Sequence, residues 1–387
     1  MNYNHLVVLG CGSIGGALLK VGREDLSDFK RVTVIDKEKR VLPGFGNLEF
    51  VAGDLDRPET LKTVLNRIPK SVSLVVNLTE GLDNIAIRRL VSEYRAAYLD
   101  SGAGIIGAFP KESRLSRLMP YNHTLVRSNY PQWTCWGINP GLVELEARRM
   151  LGEFDNPEDC YAIRVFEHDQ LSGQTRSGRT AVGWSPNGLV NEISQTPTFE
   201  IVDGRTVEHQ QNKAKNVRVA WVGQTIAGKK VAHEEVWNFG LFLKAWSAFF
   251  VYALSPEVME IVNKPAREAI SNLGVPADGD PITGKEQIVV QVRNLNRENE
   301  KCLVWEEEHG ETGRRYGVNA VQLQTCRGIQ LAIRLLQHTR LGRLTGNFCA
   351  SSLPLKKPDW KEIDKITRQL NINWRPAKEP GPIIVAE

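Results

Sequence analysis

Leu6-Val7-Val8-Leu9-Gly10-Cys11-Gly12-Ser13-Ile14-Gly15-Gly16 opens the chain, and Val32-Thr33-Val34-Ile35-Asp36 follows after a helical stretch beginning at Ala17. The two apolar runs read as buried parallel strands, with a glycine turn and a helix between them. Glycine at 10 lets the chain turn sharply out of the first strand, Gly12 has no Cβ to obstruct a pyrophosphate, and Gly15 lets the helix lie close on the sheet. Ser13 and Ile14 complete the same cradle. Its free N–H groups and the positive end of the helix dipole then face two phosphates. Asp36, 21 residues after Gly15, can accept hydrogen bonds from the ribose hydroxyls while repelling a 2′-phosphate, which favours NAD over NADP. Lys37, Lys39 and Arg40 follow at once and offer charge to a 2′-phosphate, so the second cofactor stays open.

Working outward, strands are expected near 48–51, over 73–78 and over 97–101, with helices starting at Pro58 and running over 85–95. In a doubly wound parallel sheet, ligands collect at the carboxyl ends of the strands. Gly10, Asp36, Asn77, Leu78, Thr79 and Asp100 all fall at such ends, so one nucleotide crevice accounts for them together. A further strand is expected over 133–138, closing on Asn139-Pro140-Gly141 before a helix over 142–151.

Beyond this point the pattern changes to short strands separated by Gly, Pro and Asn turns, at 163–167, 198–202, 217–222 and 230–233. Apolar helical stretches are expected over 241–254 and 257–273, a meander over 287–292 and 301–305, and a long apolar helix over 317–336. The fold class is therefore α/β: a Rossmann-type doubly wound parallel sheet joined to a second, α+β substrate and dimerisation domain. The expected divisions are 1–140, 141–315 and 316–387, the last returning to the first domain. The proline-rich tail after Trp374 reads as an extended surface segment.

Size and composition fit this division. At 387 residues the chain exceeds a usual single core. A hydrophobic content of 41% with 24% charged residues is ordinary for a globular protein, and a net charge of +4, without basic runs, does not call for nucleic acid. No apolar run approaches a membrane span, and Met-Asn-Tyr-Asn-His lacks a signal-peptide layout, so a cytoplasmic protein is expected. Six cysteines, at 11, 135, 160, 302, 326 and 349, show no metal-ligand spacing and read as reduced thiols, so no metal site is expected.

The glycine turn, Val76-Asn77-Leu78-Thr79, Tyr98-Leu99-Asp100, Gly137-Ile138-Asn139-Pro140-Gly141 and Ala232-His233-Glu234-Glu235 together resemble successive motifs of the saccharopine dehydrogenase-like superfamily. Within it they are most similar to the bacterial homospermidine synthases, with the carboxynorspermidine dehydrogenases next. The resemblance covers about residues 6–240 and fits the C-terminal stretch only loosely. It implies a homodimer with prosthetic NAD that oxidises a diamine such as putrescine to an imine, passes it to a second amine, and reduces the resulting Schiff base. It places Asn139 near the nicotinamide and the reacting amine. Glu167, with Asp169 two residues on, Trp184, Glu192, His233 and Glu235 fall on the family's other site positions.

The chemistry of a diamine asks for such residues. A dication needs carboxylates at two separated points, which Glu167, Glu192 and Glu235 supply, and Trp184 offers an aromatic face worth ~0.5–2 kcal/mol to a cation. Hydride leaves an amine carbon only after the nitrogen has lost a proton, a task that suits His233 near neutral pH. The chain departs from the homospermidine synthase pattern at Gly183 and Glu234, and the second aromatic expected after Glu192 has only Trp221 or Trp237 as substitutes. Arg176 and Arg179 could instead grip a substrate carboxylate. That alternative is an oxidoreductase acting on the C–N bond of a carboxylated secondary amine, such as saccharopine or carboxy(nor)spermidine.

Overall fold

The structure is a computed structural model that describes residues 3–38, 46–70, 72–102, 128–154, 156, 158–195, 198–209, 216–378 and 381–386. The chain divides into two compact units. Among the described residues, the first takes the chain up to Gly141 together with Gln322–Ile372, and the second takes Leu142–Val321 and the segment from Asn373.

The first unit is built on β1 (His5–Leu9), β2 (Arg31–Asp36), β3 (Leu48–Ala52), β4 (Ser73–Asn77), β5 (Ala97–Asp100) and β6 (Pro131–Trp133). With the late strand Gly346–Phe348 they form one sheet, ordered from that strand through β6, β5, β4 and β1 to β2 and β3, every pair parallel. β1 and β4 are apolar because covered faces leave no side of the strand for water. The chain runs outward to β3, then returns to lay β4 on the other side of β1. Strand order therefore reverses between β1 and β4, where Leu9 pairs with Asn77.

One face of this sheet buries Val7, Leu9, Ile35, Val75 and Tyr98 against Leu61, Val64 and Leu65 of helix Pro58–Leu65 and Ile87 and Val91 of helix Asn84–Glu93. Each such aliphatic side chain contributes about 1.5–3 kcal/mol by leaving water. The second helix starts where Asp83 accepts the N–H groups of Ile85 and Ala86. Helix Ala320–His338 fixes Gln322 to Ser13 and Arg334 to Asp25.

The strand expected over 133–138 ends at Trp133. Cys135 has φ 62° and gives its N–H to the Asp100 carboxylate, so the backbone leaves the pleat there.

The second unit centres on β7 (Tyr161–Asp169), which lies between Ser247–Leu254, its parallel partner, and Lys285–Asn294, its antiparallel one. Glu300–Glu308 and Arg375–Pro376 extend the sheet on one side; Gln224–Val231, Asn216–Trp221 and Ile383–Ala386 extend it on the other. Residues from far-apart strands, Val304 on one side and Val219 and Trp221 on the other, share a core with Phe166, Val251 and Val289. The sheet therefore curls around an apolar interior.

Three expectations change here. The stretch 241–254, expected to be helical, contains strand Ser247–Leu254, and the helix lies earlier, at Glu234–Phe242. Ala-Phe-Phe-Val-Tyr-Ala is apolar on both faces, so periodicity alone does not separate a buried strand from a helix. The stretch 257–273 is two helices, Pro256–Val262 and Ala266–Asn272, broken before Pro265. The tail, expected as a surface segment returning with 316–387 to the first domain, instead contributes two strands to the second unit.

Candidate functional site

In the first unit, Gly10 has φ 86°, and a Cβ there would lie 2.9 Å from the Leu78 carbonyl oxygen and 3.1 Å from the Thr79 side chain. The glycine turn and the loop after β4 therefore lie against each other. At Gly15 a Cβ would be 2.1 Å from the Gly10 carbonyl oxygen, so only glycine allows the helix this approach. At Gly12 no atom lies within 4 Å of the same position. Helix α1 (Ser13–Val21) starts beside that open space with no side chain capping it, which leaves N–H donors for an anion. Asp36 accepts the N–H of Cys11 at 2.6 Å and that of Glu38 at 3.0 Å, which holds its carboxylate beside the turn with lone pairs to spare for hydroxyls. These residues fit a dinucleotide. Lys37 is exposed beside them, while Lys39 and Arg40 lie outside the described residues.

Asn77 and Asp100 serve the cradle from behind. The Asn77 side chain gives its N–H groups to Asn84 and Tyr98 and accepts from the backbone and hydroxyl of Thr79, so it shapes the 78–80 loop and has little left for a ligand. Asp100 is fully buried, and its bond to Cys135 holds the turn that carries half-buried Asn139. Within that turn Gly137 donates to the Pro140 carbonyl at 2.7 Å.

In the second unit the acids assemble on one face of the sheet. Glu167 and Asp169 sit two apart on β7; Tyr252 pairs with Glu167, and Glu286 pairs with Asp169. Alternation along each strand sends all four side chains to the same side, away from Phe166, Val251 and Val289. Gly183 adjoins them: a Cβ there would lie 3.1 Å from the Asp169 carboxylate and 2.5 Å from Val321. That contact explains why glycine stands before half-buried Trp184. Ser185 then caps the short helix Pro186–Val190, and a wide turn over Asn191–Gln195 carries buried Glu192.

His233 stands at the start of helix Glu234–Phe242, whose first turn holds Glu234 and Glu235. Its Nδ1 bonds to Glu235, its Nε2 lies 3.3 Å from Glu192, and its ring stacks on Phe250 at 4.4 Å. Burial alone would lower its pKa, but Glu235, Glu192 and Glu234 outweigh that and hold it at about 10. His233 is thus a cation at neutral pH. The sequence reading has it accept a proton there; the carboxylates around it favour its protonated form, in which it would donate.

Glu286 behaves in the opposite way. Burial, the charges of Asp169 and Glu167 and hydrogen bonds with both carboxylates push its carboxyl well above the usual range. Tyr252, also buried, is raised by burial and by Glu167, Asp169, Glu286 and Glu192, and so keeps its proton. Glu286, Tyr252 and Phe250 escaped the sequence reading. Their signal was weak: Glu286 lies just outside the apolar run 287–292, and the two aromatics lie within a stretch read as helix.

Asp169, Glu286 and His309 approach closely enough to suggest a metal. However, Nδ1 of His309 accepts the N–H of Ala320, so its proton sits on Nε2 and is given to Asp169 at 3.0 Å. A protonated nitrogen has no lone pair for a metal, and the cluster is a hydrogen-bonded support for Asp169.

Arg176 pairs with Asp280 and the Asp278 carbonyl, and Arg179 donates to Ser177, so both are tied within exposed loops. Of the substitutes for a second aromatic, Trp221 belongs to the apolar interior and Trp237 to the helix after His233. Phe250 is the ring that meets the imidazole.

A parallel dinucleotide-type sheet with a second mixed-sheet unit is the architecture of a Rossmann-type, NAD-binding dehydrogenase fold. No protein-family model and no curated protein sequence matches the chain. Among solved structures, it is similar to the homospermidine synthase of Legionella pneumophila, crystallised in complex with NAD, at 16% identity, with a TM-score of 0.73 over 99% of this chain and 91% of that one. It is also similar to the L-Glu-forming saccharopine dehydrogenase of Saccharomyces cerevisiae, at 11% identity, with a TM-score of 0.57 over 97% of this chain and 100% of that one. The likeness in fold thus extends through the C-terminal stretch, where the sequence resemblance was loose. No helix among the described residues is long and apolar enough to cross a membrane.

Proposed function

We propose that this protein is an NAD-dependent enzyme of the homospermidine synthase type, acting on the C–N bond of a diamine such as putrescine. The observation that carries the proposal is the set of buried acids in the second unit: Glu192, Glu234 and Glu235 surround the His233 imidazole, and Glu167, Asp169 and Glu286 lie together on the sheet. Carboxyls withdrawn from water in such number favour cations among them. A diamine dication suits such a face, and the arginines that a carboxylated substrate would need lie on exposed loops, Arg176 paired with Asp280 and Arg179 donating to Ser177.

NAD, held by Gly10, Gly12, Ser13, Ile14, Gly15 and Asp36, would supply hydride acceptance and return. The chain's own residues do the rest. Glu167 and Asp169 bind an ammonium end, and Trp184 offers its face to a cationic nitrogen. The proton that must leave before the carbon is oxidised passes to an ionised carboxylate of this face, Glu167 or Asp169, beside Glu286, whose own carboxyl holds its proton more tightly than usual. His233, charged and fixed by Glu192 and Glu235, orients those carboxylates and can give a proton to departing ammonia.

Purified protein incubated with NAD and putrescine tests this by mass spectrometry. Homospermidine and ammonia, with no net NADH, are expected. Turnover only of saccharopine or carboxyspermidine, with stoichiometric use of the dinucleotide, would overturn the proposal in favour of the carboxylated-amine reading.

A further inference from the structure

The curled sheet of the second unit also has a basic cavity, of about 520 Å³. It opens near the first residues of β7, whereas the acid face lies at that strand's far end. Arg164, Lys230 and Arg293 bring positive charge to it, and Phe249, Ile384 and Val385 bring apolar surface. Its volume falls in the range of small-molecule sites, which occur in the mouths of curled sheets.

The cations are arranged around a ring and incompletely answered. The Arg164 guanidinium lies 5.4 Å from the centre of the Phe249 ring and the Lys230 ammonium 4.9 Å from it. Arg164 reaches the Gln291 amide oxygen at 3.4 Å, but its Nε is buried with no acceptor among the described residues. Burial and the neighbouring charge of Arg293 both disfavour its protonated form. Lys230 is answered by Glu200 at 3.1 Å. Glu300 is the acid in the wall, and its two oxygens already accept from Gln291 at 2.9 Å and from the Gly381 N–H at 3.0 Å. Arg164, Lys230 and Arg293 outnumber Glu300, the acid in the wall, since Glu200 lies outside it and is shared between Lys230 and His209 at 2.8 Å, and a buried guanidinium N–H without an acceptor is costly.

We propose that this cavity binds a small organic carboxylate carrying a short apolar stem. The carboxylate would meet the Arg164 fork, which matches its geometry, and the stem would lie against Phe249, Ile384 and Val385. One guanidinium fork beside apolar surface suits a carboxylate better than a phosphate ester, which carries about −1.5 to −2 at neutral pH.

Calorimetric titration of the full chain with hexanoate, inorganic phosphate and hexylammonium tests the assignment. Hexanoate is expected to bind at one site, more tightly than phosphate, with hexylammonium silent at that site. Arg164→Gln should weaken hexanoate about tenfold or more, as for loss of a charge-assisted bond. Arg293→Gln, a milder change at a strand end, should weaken it in the same direction and leave amine turnover unchanged. Absence of hexanoate binding, phosphate binding as tight as hexanoate, or affinity retained in both variants would each overturn the proposal.

Discussion

The glycine turn of the first unit and the acid face of the second are built from different materials. The turn is backbone: what matters at 10, 12 and 15 is the side chain that is missing, and a Cβ at Gly15 would meet a carbonyl oxygen at 2.1 Å. The acid face is made of side chains brought from strands and turns as distant in sequence as Glu167, Glu192, Glu235 and Glu286, and it depends on their charges. A backbone site is local and intolerant of added atoms. A side-chain site is assembled by the fold and is sensitive to charge.

The largest effect is expected from Gly15→Ala. The clash is with the Gly10 main chain, which cannot rotate away as a side chain could, and forcing the methyl group in costs about 1–3 kcal/mol. A loss of NAD affinity of up to about 100-fold is expected by fluorescence titration, with the acid face left intact. Unchanged affinity would show that the turn and helix separate freely and would remove the contrast.

Glu192→Gln should have a smaller effect, confined to the other region. It keeps the shape of the side chain but removes a charge 3.3 Å from the His233 imidazole. Turnover with a diamine is expected to fall about tenfold to 100-fold, comparable to losing one charge-assisted contact, while NAD affinity stays within about twofold. A fall in NAD affinity as large as the fall in turnover would place Glu192 in a different role.

The same contrast decides how much could be read from sequence. The cradle was legible because its parts fall within 36 residues and each glycine has a local backbone reason. The acid face was half legible. Glu167, Glu192, His233 and Glu235 were found through a resemblance, whereas Glu286 came into view only when β7 placed Asp169 opposite it. Tyr252 was hidden by an error of period, because a run buried on both faces carries no alternation to read. Asn77 and Asp100 were correctly placed at strand ends, yet their partners turn them inward to hold loops, and sequence does not show where a side chain spends its hydrogen bonds.

The smallest expected change is the lack of one, in the titration of His233. An exposed imidazole changes charge near pH 6.5, but this one is held at about 10 because the carboxylates of Glu235, Glu192 and Glu234 outweigh the burial that would lower it. A folded value above the unfolded one means that the folded chain holds the proton more tightly. The stability this gives is complete below the unfolded value of 6.5, fades as pH climbs through the window up to about 10, and is absent above it. Nitrogen NMR of the ring should therefore show a protonated imidazole unchanged from about pH 6 to about pH 9. In Glu192→Gln the midpoint should drop, since one of the charges that raise it is gone. A wild-type midpoint near 6.5 would mean that the carboxylates do not govern the imidazole. The base role first read from the sequence would then stand, and the acid face would be a weaker trap for cations than its geometry indicates.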